Sequence, residues 1–218
     1  NYNMVVNGGT MIFAGNSSFK TLTVNAGTLQ VPVGFGAATP VSVTATAGNT
    51  ATLAINIANT NQTWGCSNLT VNNAGSSSGL QFNFGVLTPS ITVAPLNVTN
   101  GVTFTTAPTI TILGGSLPVT TGNGYPLLTW GSGSAPSLSG VTLMLPFRIG
   151  GSLSVVGSTL YLQITGSTEP LSWAGGNGVW DINDNANTIW KVSASAVAYY
   201  ADGDAVVYVN GEKVGEHS

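Results

Sequence analysis

The sequence predicts an all-β protein, a right-handed parallel β-helix (β-solenoid) followed by a small Trp-rich β module. Three observations lead to this prediction. The 218 residues include only four basic and seven acidic ones, whereas about a quarter of an ordinary globular protein is charged. Glycine accounts for 29 residues, and helix-forming Lys, Glu, Arg and Gln are scarce, which argues against long helices. Finally, a strand–corner–strand unit recurs along the chain.

The recurring unit is clearest near the start, where VNGGTMIF (residues 6–13) returns as VNAGTLQV (residues 24–31). Asn and Gly tolerate the left-handed backbone of a tight corner, while Thr and branched apolar residues favour an extended chain. Each copy therefore predicts a strand, a corner and a second strand.

Looser copies follow at residues 68–82, 96–115 and 151–164. Units at intervals of roughly 18 to 27 residues are typical of stacked coils, because one coil cannot bury its own apolar side and needs its neighbours. Uncharged Thr, Ser and Asn can stack in register on such coils. A β-sandwich, whose strands also recur regularly, is the alternative.

Charge divides the chain at about residue 168. Residues 1–168 contain Lys20 and Arg148 as their only charged side chains, and every carboxylate lies from Glu169 onward. We therefore predict a β-solenoid repeat region at 1–168 and a Trp-containing β module, or the start of the next repeat array, at 169–218. Neither part is basic enough to suggest a nucleic-acid partner.

The sequence also limits compartment and covalent chemistry. No apolar run reaches the ~18 residues of a membrane span. The single cysteine, Cys66, excludes an internal disulfide and is typical of a small buried thiol. Because Asn1 already lies in a predicted strand, we expect the chain to be a piece of a larger protein whose export signal lies elsewhere.

Several segments resemble one family. GYPLLTW (124–130), LMLP (143–146) and GSTLYLQI (157–164) are similar to the segments that end an array in autotransporter-associated β-strand repeat proteins, which are large bacterial surface or secreted proteins. PLSWAGGNGVWD (170–181), ANTIW (186–190) and DGDAVVY (202–208) resemble the module between arrays. The resemblance implies a parallel β-helix that serves as a spacer, adhesin or matrix element outside the cell, without catalytic residues. The charged tail, 209–218, departs from the pattern.

The residues themselves also argue against an enzyme. Glycosidases use two carboxylates that flank the scissile bond, and residues 1–168 contain none. The run GSSSG (75–79) matches the pattern of a nucleophile elbow, which needs a strand-to-helix turn and a histidine partner. The only histidine is His217 in the tail, so this run is interpreted as a surface loop.

Two sets of candidate binding residues lie in the C-terminal part. Oxygen ligands could bind Ca²⁺, although Ala186 and Val192 stand where an EF-hand loop would need Gly and Glu, and Asx turns explain such residues without a metal. The calcium candidates are Asp181, Asp184, Asp202 and Asp204, with Asn183 and Asn185 beside them. No other cofactor is expected.

The second set is aromatic and could form a platform for sugar rings, or the core of a small module. These glycan-binding candidates are Trp173, Trp180, Trp190, Tyr199 and Tyr200. The expected function is a structural stalk, matrix or filament component of an exported protein. Its expected partners are neighbouring repeats of the same protein or other copies of itself. The alternative is a glycan-binding or adhesin module that contacts surface polysaccharide.

Overall fold

A computed structural model describes residues 2–16, 18–37, 39–73, 77–146 and 149–166, together with four short strands between 171 and 207. These residues form strands, turns and loops, and none of them is helical. The chain divides into two compact units, one made of Asn1–Pro146 with Gly150–Gly166 and the other of Phe147–Ile149 with Ser167–Ser218. The boundary predicted at residue 168 falls outside the described residues.

The first unit contains fourteen of the described strands. They are β1 (Asn3–Ile12), β2 (Thr21–Pro32), β3 (Pro40–Thr44), β4 (Thr50–Asn56), β5 (Trp64–Cys66), β6 (Asn68–Asn72), β7 (Ser77–Gly85), β8 (Leu96–Val98), β9 (Val102–Phe104), β10 (Thr109–Gly114), β11 (Tyr125–Trp130), β12 (Thr142–Met144), β13 (Gly150–Val156) and β14 (Thr159–Gly166). The second unit contributes β15 (Leu171–Trp173), β16 (Trp190–Lys191), β17 (Val197–Ala198) and β18 (Val206–Val207).

Nine of the described strands form one sheet, in which every pairing is parallel. The long strand β2 pairs with β1 on one side and with both β3 and β4 on the other. From there one ladder runs β3–β6–β9 and a second runs β4–β7–β10–β12. The prediction of an all-β chain is confirmed for the described residues, and their largest sheet is parallel; the right-handed parallel β-helix stays a prediction.

The core consists of columns of apolar side chains at matching positions in successive strands. Leu29 lies over Leu53, which lies over Leu80, and that leucine lies over Ile110. All four side chains are buried. Alternate positions face the other way, as the two-residue period of a strand requires. On that face one row of matching positions consists of Thr10, Thr28, Thr52, Gly79, Thr109 and Thr142.

A second ladder and a hairpin complete the first unit. Strands β5, β8 and β11 pair in parallel, with Trp64 over Leu96 and Leu96 over Leu128. Beyond β11 the direction changes, because β14 is antiparallel to β11 and to β13. The last strand–corner–strand unit expected at 151–164 is therefore a β-hairpin, closed at Gly157 with φ +59°, a backbone conformation that suits glycine in two-residue turns.

The second unit is described by its backbone alone. Strand β16 is antiparallel to β15 and to β17, and β15 pairs in parallel with β18. These four strands form a sheet of their own among the described residues.

One buried hydroxyl links three segments of the first unit. The Ser78 Oγ atom accepts a hydrogen bond from the Ala45 N–H at 2.8 Å and donates one to the Asn72 carbonyl oxygen at 2.7 Å. Ser78 is 1% exposed, so water cannot replace either bond. A buried polar group without a partner is costly, and this serine satisfies two backbone groups at once.

We expect Ser78→Ala to lower the free energy of unfolding by about 1–3 kcal/mol, because the Ala45 N–H and the Asn72 carbonyl lose a buried partner. The measurement is urea denaturation followed by tryptophan fluorescence. Ser77→Ala is the matched control, since Ser77 is exposed and surface substitutions usually change stability by less than about 0.5 kcal/mol. Equal stability of the two variants would contradict the assigned role of Ser78.

Candidate functional site

Most residues that the sequence singled out lie outside the described residues. This holds for the calcium candidates Asp181, Asp184, Asp202 and Asp204 and for Trp180, Tyr199 and Tyr200. Trp173 and Trp190 occupy directly opposed backbone positions in β15 and β16. Within the described part of the chain, no three His, Cys, Asp or Glu residues come together as a metal site would require. The calcium and aromatic-platform hypotheses stay predictions.

Two residues with nucleophilic side chains, Cys66 and Ser77, belong to strands. Cys66 is buried, and desolvation raises the pKa of its thiol from 9.0 to about 12, so the reactive thiolate is suppressed. Ser77, the central serine of the GSSSG run, begins strand β7. A nucleophile elbow would lead from its serine into a helix, whereas Ser77 leads into a strand.

We expect Cys66 in the folded chain to be inert toward a thiol reagent such as Ellman's reagent at pH 8, because the thiolate is the reacting form and burial suppresses it. Absorbance of the released thionitrobenzoate measures the reaction. The same chain in concentrated urea is the control and should react at once. Rapid reaction of the folded chain would contradict the burial of Cys66.

A shallow groove of about 240 Å³ lies on the outer face of the β4–β7–β10–β12 ladder. It arises where Gly79 interrupts the row of threonines, between Thr52 and Thr109. Gln81, Thr111 and Met144 line its neighbouring row. The polar groups are hydroxyls and one amide, so this groove can form hydrogen bonds with a neutral molecule but supplies no acid, base or charge.

The larger candidate surface is the free edge of the nine-stranded sheet. Among the described residues, β1 pairs with β2 and with no other strand. We call the outer side of β1, residues 3–12, the N-terminal edge. Apolar side chains on and beside it are exposed: 86% of Tyr2, 44% of Val5 and 67% of Ile12. Long, exposed strand edges with apolar side chains are sites where another strand can add.

The corner shared by β1 and β2 shows how one repeated unit recognises the next. The Asn25 Nδ2 group donates a hydrogen bond to Asn7 Oδ1 at 3.0 Å, joining equivalent residues of the two units. Gly27 has φ +79°, and a Cβ atom there would collide with the Gly9 carbonyl oxygen. Gly9 has φ +64°, yet a Cβ atom there would meet nothing within 4 Å.

Sequence reasoning found this corner but did not identify the exposed edge as a surface. The corner is visible in the sequence because residues 6–13 and 24–31 are copies of one unit, whereas the pairing of a strand edge depends on residues that lie elsewhere in the chain.

Comparison with models of known protein families, with curated proteins and with solved structures found no match. In the described part of the chain, no helix is long and apolar enough to cross a lipid bilayer. The function of this chain must therefore be inferred from its residues and their geometry, together with the motif resemblance.

The two glycines of the corner allow a matched prediction. We expect Gly9→Ala to lower the free energy of unfolding by about 1–2 kcal/mol, the cost of a left-handed backbone for an ordinary residue. Gly27→Ala should cost clearly more, because the new methyl group also collides with the β1 backbone. Urea denaturation of both variants tests this difference, and equal losses would contradict the close approach of the two corners.

Proposed function

We propose that the chain is a non-catalytic structural segment of a large exported bacterial surface protein, built as a right-handed parallel β-helix and acting as a stalk, matrix or filament component. The observation that carries this proposal is the in-register parallel pairing of successive repeats, in which each strand stacks on its equivalent one repeat later. Such pairing extends along one axis, by roughly 4.8 Å for each added strand.

A continuous core supports a mechanical role. The column Leu29, Leu53, Leu80 and Ile110 is buried throughout, so each repeat contacts the next through apolar side chains as well as backbone hydrogen bonds. Stability in such proteins is the sum of repeat and interface contributions. The proposed right hand follows the strong preference of connections between parallel strands.

The chemistry of the side chains supports a passive role. Residues 1–168 contain no carboxylate and no histidine, and general acid–base catalysis usually depends on such groups. The proposed location outside the cell rests on the resemblance of residues 124–164 and 170–208 to autotransporter-associated repeat proteins. Neighbouring repeats, in the same protein or in other copies of it, are the proposed partners.

A second candidate function is the binding of a neutral surface polysaccharide, as an adhesin would do. The groove beside Gly79 favours it, because Thr52, Gln81 and Thr111 line that groove with hydroxyl and amide groups. Sugar hydroxyls can form hydrogen bonds with these groups, and a neutral ligand needs no charged partner. The groove is shallow and lined without aromatic side chains, so we rank this function second.

The structural role is tested by the architecture of the chain and by an assay for cleavage. We expect an experimental structure of the 218-residue chain to show right-handed coils. We also expect incubation with a panel of polysaccharides to release no reducing ends and no unsaturated products. A left-handed or sandwich structure, or reproducible cleavage, would overturn the structural role.

Affinity electrophoresis through gels that contain neutral polysaccharides tests the alternative. Unchanged mobility in every gel supports the structural role. Retardation that is lost in Gln81→Leu, but kept in the control Gln62→Leu in the loop before β5, would favour glycan binding.

A further inference from the structure

We infer that the groove beside Gly79 binds the acetamido group of a neutral, N-acetylated sugar that is one residue of a longer glycan. The groove, of about 240 Å³, lies inside the β4–β7–β10–β12 ladder and has strands on both sides. The inference deepens the second candidate function, glycan binding, on which it rests, because it names the class of sugar and the part of the sugar that the groove holds.

The first step is the shape of the groove. Gly79 forms its floor, since the strands on either side carry Thr52 and Thr109 in the same row and glycine adds no side chain between them. Backbones of neighbouring strands are about 4.8 Å apart, so roughly 9.6 Å separates the two threonine backbones. Along β7, Ser77 and Gln81 lie at the two ends of the floor, about 13 Å apart. The groove is smaller than the pockets of about 300–1,000 Å³ that hold drug-sized ligands, so it fits one small group.

The glycine keeps this hollow open. A Cβ atom at Gly79 would collide with the Thr109 carbonyl oxygen, so the close approach of the two backbones excludes any other residue there. The ladder pairing of β7 with β4 and β10 holds both walls in place. An acetamido group is only slightly larger than the threonine side chain that the row lacks at Gly79, and the hollow is therefore preformed for a group of that size.

The second step is the unused hydrogen-bonding capacity of the glutamine in the groove. Gln30 and Gln81 belong to one row of the outer face, with Ala54 between them. The Gln30 Oε1 atom accepts a hydrogen bond from Asn56 Nδ2 at 3.4 Å. Among the described residues, the side-chain amide of Gln81 has no such partner. Its donors and its acceptor are available to a ligand.

The threonine hydroxyls of the groove are unpaired as well. Within the part of the chain that the structure describes, the side chains of Thr52, Thr109 and Thr111 form no hydrogen bond with another protein group. On a different face of the first unit, by contrast, Thr129 Oγ1 donates to Asn97 Oδ1 at 3.0 Å. A hydroxyl both donates and accepts, so the two walls can bond to the hydroxyls of a sugar whose acetamido group lies between them.

The third step is the match between these groups and an acetamido group. Acetamide has an N–H donor and a carbonyl acceptor, and the Gln81 amide offers both complementary groups in one plane. Met144 lines the margin of the groove beside Thr111 and is 53% exposed. Its flexible thioether side chain gives the acetyl methyl group an apolar contact. The lining carries no charge, which favours a neutral sugar over an amino sugar or a uronic acid, because their charges would stay unpaired.

The test compares two trisaccharides in NMR titrations of the full chain. Tri-N-acetylchitotriose and cellotriose share the same linkage and ring, and they differ in one substituent, which is an acetamido group in the first and a hydroxyl in the second. We expect saturable binding of tri-N-acetylchitotriose with a Kd on the order of 1 mM, as suits a small, open groove with neutral contacts. Cellotriose should bind at least about tenfold more weakly, because it lacks the amide hydrogen bonds.

Matched variants locate the site. Gln81→Glu replaces the donating amide by a carboxylate, and Gln30→Glu adds the same charge to the same row outside the groove. Thr111→Val removes a hydroxyl at similar volume, and Thr70→Val does so on the half-buried outer side of β6. Each groove variant should weaken binding of tri-N-acetylchitotriose about threefold to tenfold, the effect of one neutral hydrogen bond, and both controls should bind as the unaltered chain does. Unchanged binding by Gln81→Glu and by Thr111→Val would overturn the inference.

The outcomes also separate this inference from the function on which it rests. Equal binding of the two trisaccharides would overturn the acetamido assignment and leave glycan binding standing. Binding of neither would overturn both. Amide shifts that avoid residues 77–81 and 109–111 would overturn the location of the site. Circular dichroism of each variant shows whether the β fold is kept, so that a loss of binding caused by unfolding is recognised.

Discussion

The register of the parallel strands is the constraint on which the rest of the first unit depends. Because side chains alternate between the two faces of a strand, a slip of one residue would turn a whole apolar row outward. Leu53 must therefore lie between Leu29 and Leu80 if the core is to be continuous. The same register aligns the outer threonines, so the buried column and the polar row are two consequences of one pairing.

The corners keep this register along the stack. At Gly27 the backbones of β1 and β2 approach so closely that no side chain fits between them, and the Asn7–Asn25 hydrogen bond aligns the same two corners. Ser78 performs a comparable role inside, where its hydroxyl joins the backbone just after β3 to the end of β6. Stacked backbones need close contact and local hydrogen bonds, and charged side chains would obstruct both. This explains why glycine and small polar residues are numerous.

The strands at the two margins of the described ladders pair differently. At one end the hairpin β13–β14 runs antiparallel to β11 and interrupts the parallel pattern. At the other end β1 presents ten residues with one side unpaired among the described strands.

The sequence predicted the features that depend on a repeated local motif, and it missed a feature that depends on the direction of neighbouring strands. The units at 6–13 and 24–31 predicted the pairing of β1 with β2, because copies of one motif are expected to stack on each other and both copies can be seen in the sequence. The hairpin at 150–166 was not predicted as a reversal, since the alternation of polar and apolar residues is the same in parallel and antiparallel strands. What distinguishes them is the turn at Gly157, where two residues connect β13 to β14. The aromatic and acidic candidates after residue 168 lie largely outside the described residues, so their roles stay predictions.

By itself, the sequence determined that this protein is built from β strands, that its first 168 residues carry no carboxylate, and that its corners require Asn and Gly. These properties are local, because they depend on backbone preferences and on the two-residue period of each strand. Only the tertiary structure decided which strand lies beside which and where Gly79 opens a groove. Those features arise from contacts between residues far apart in the chain, and no short stretch of sequence contains both partners.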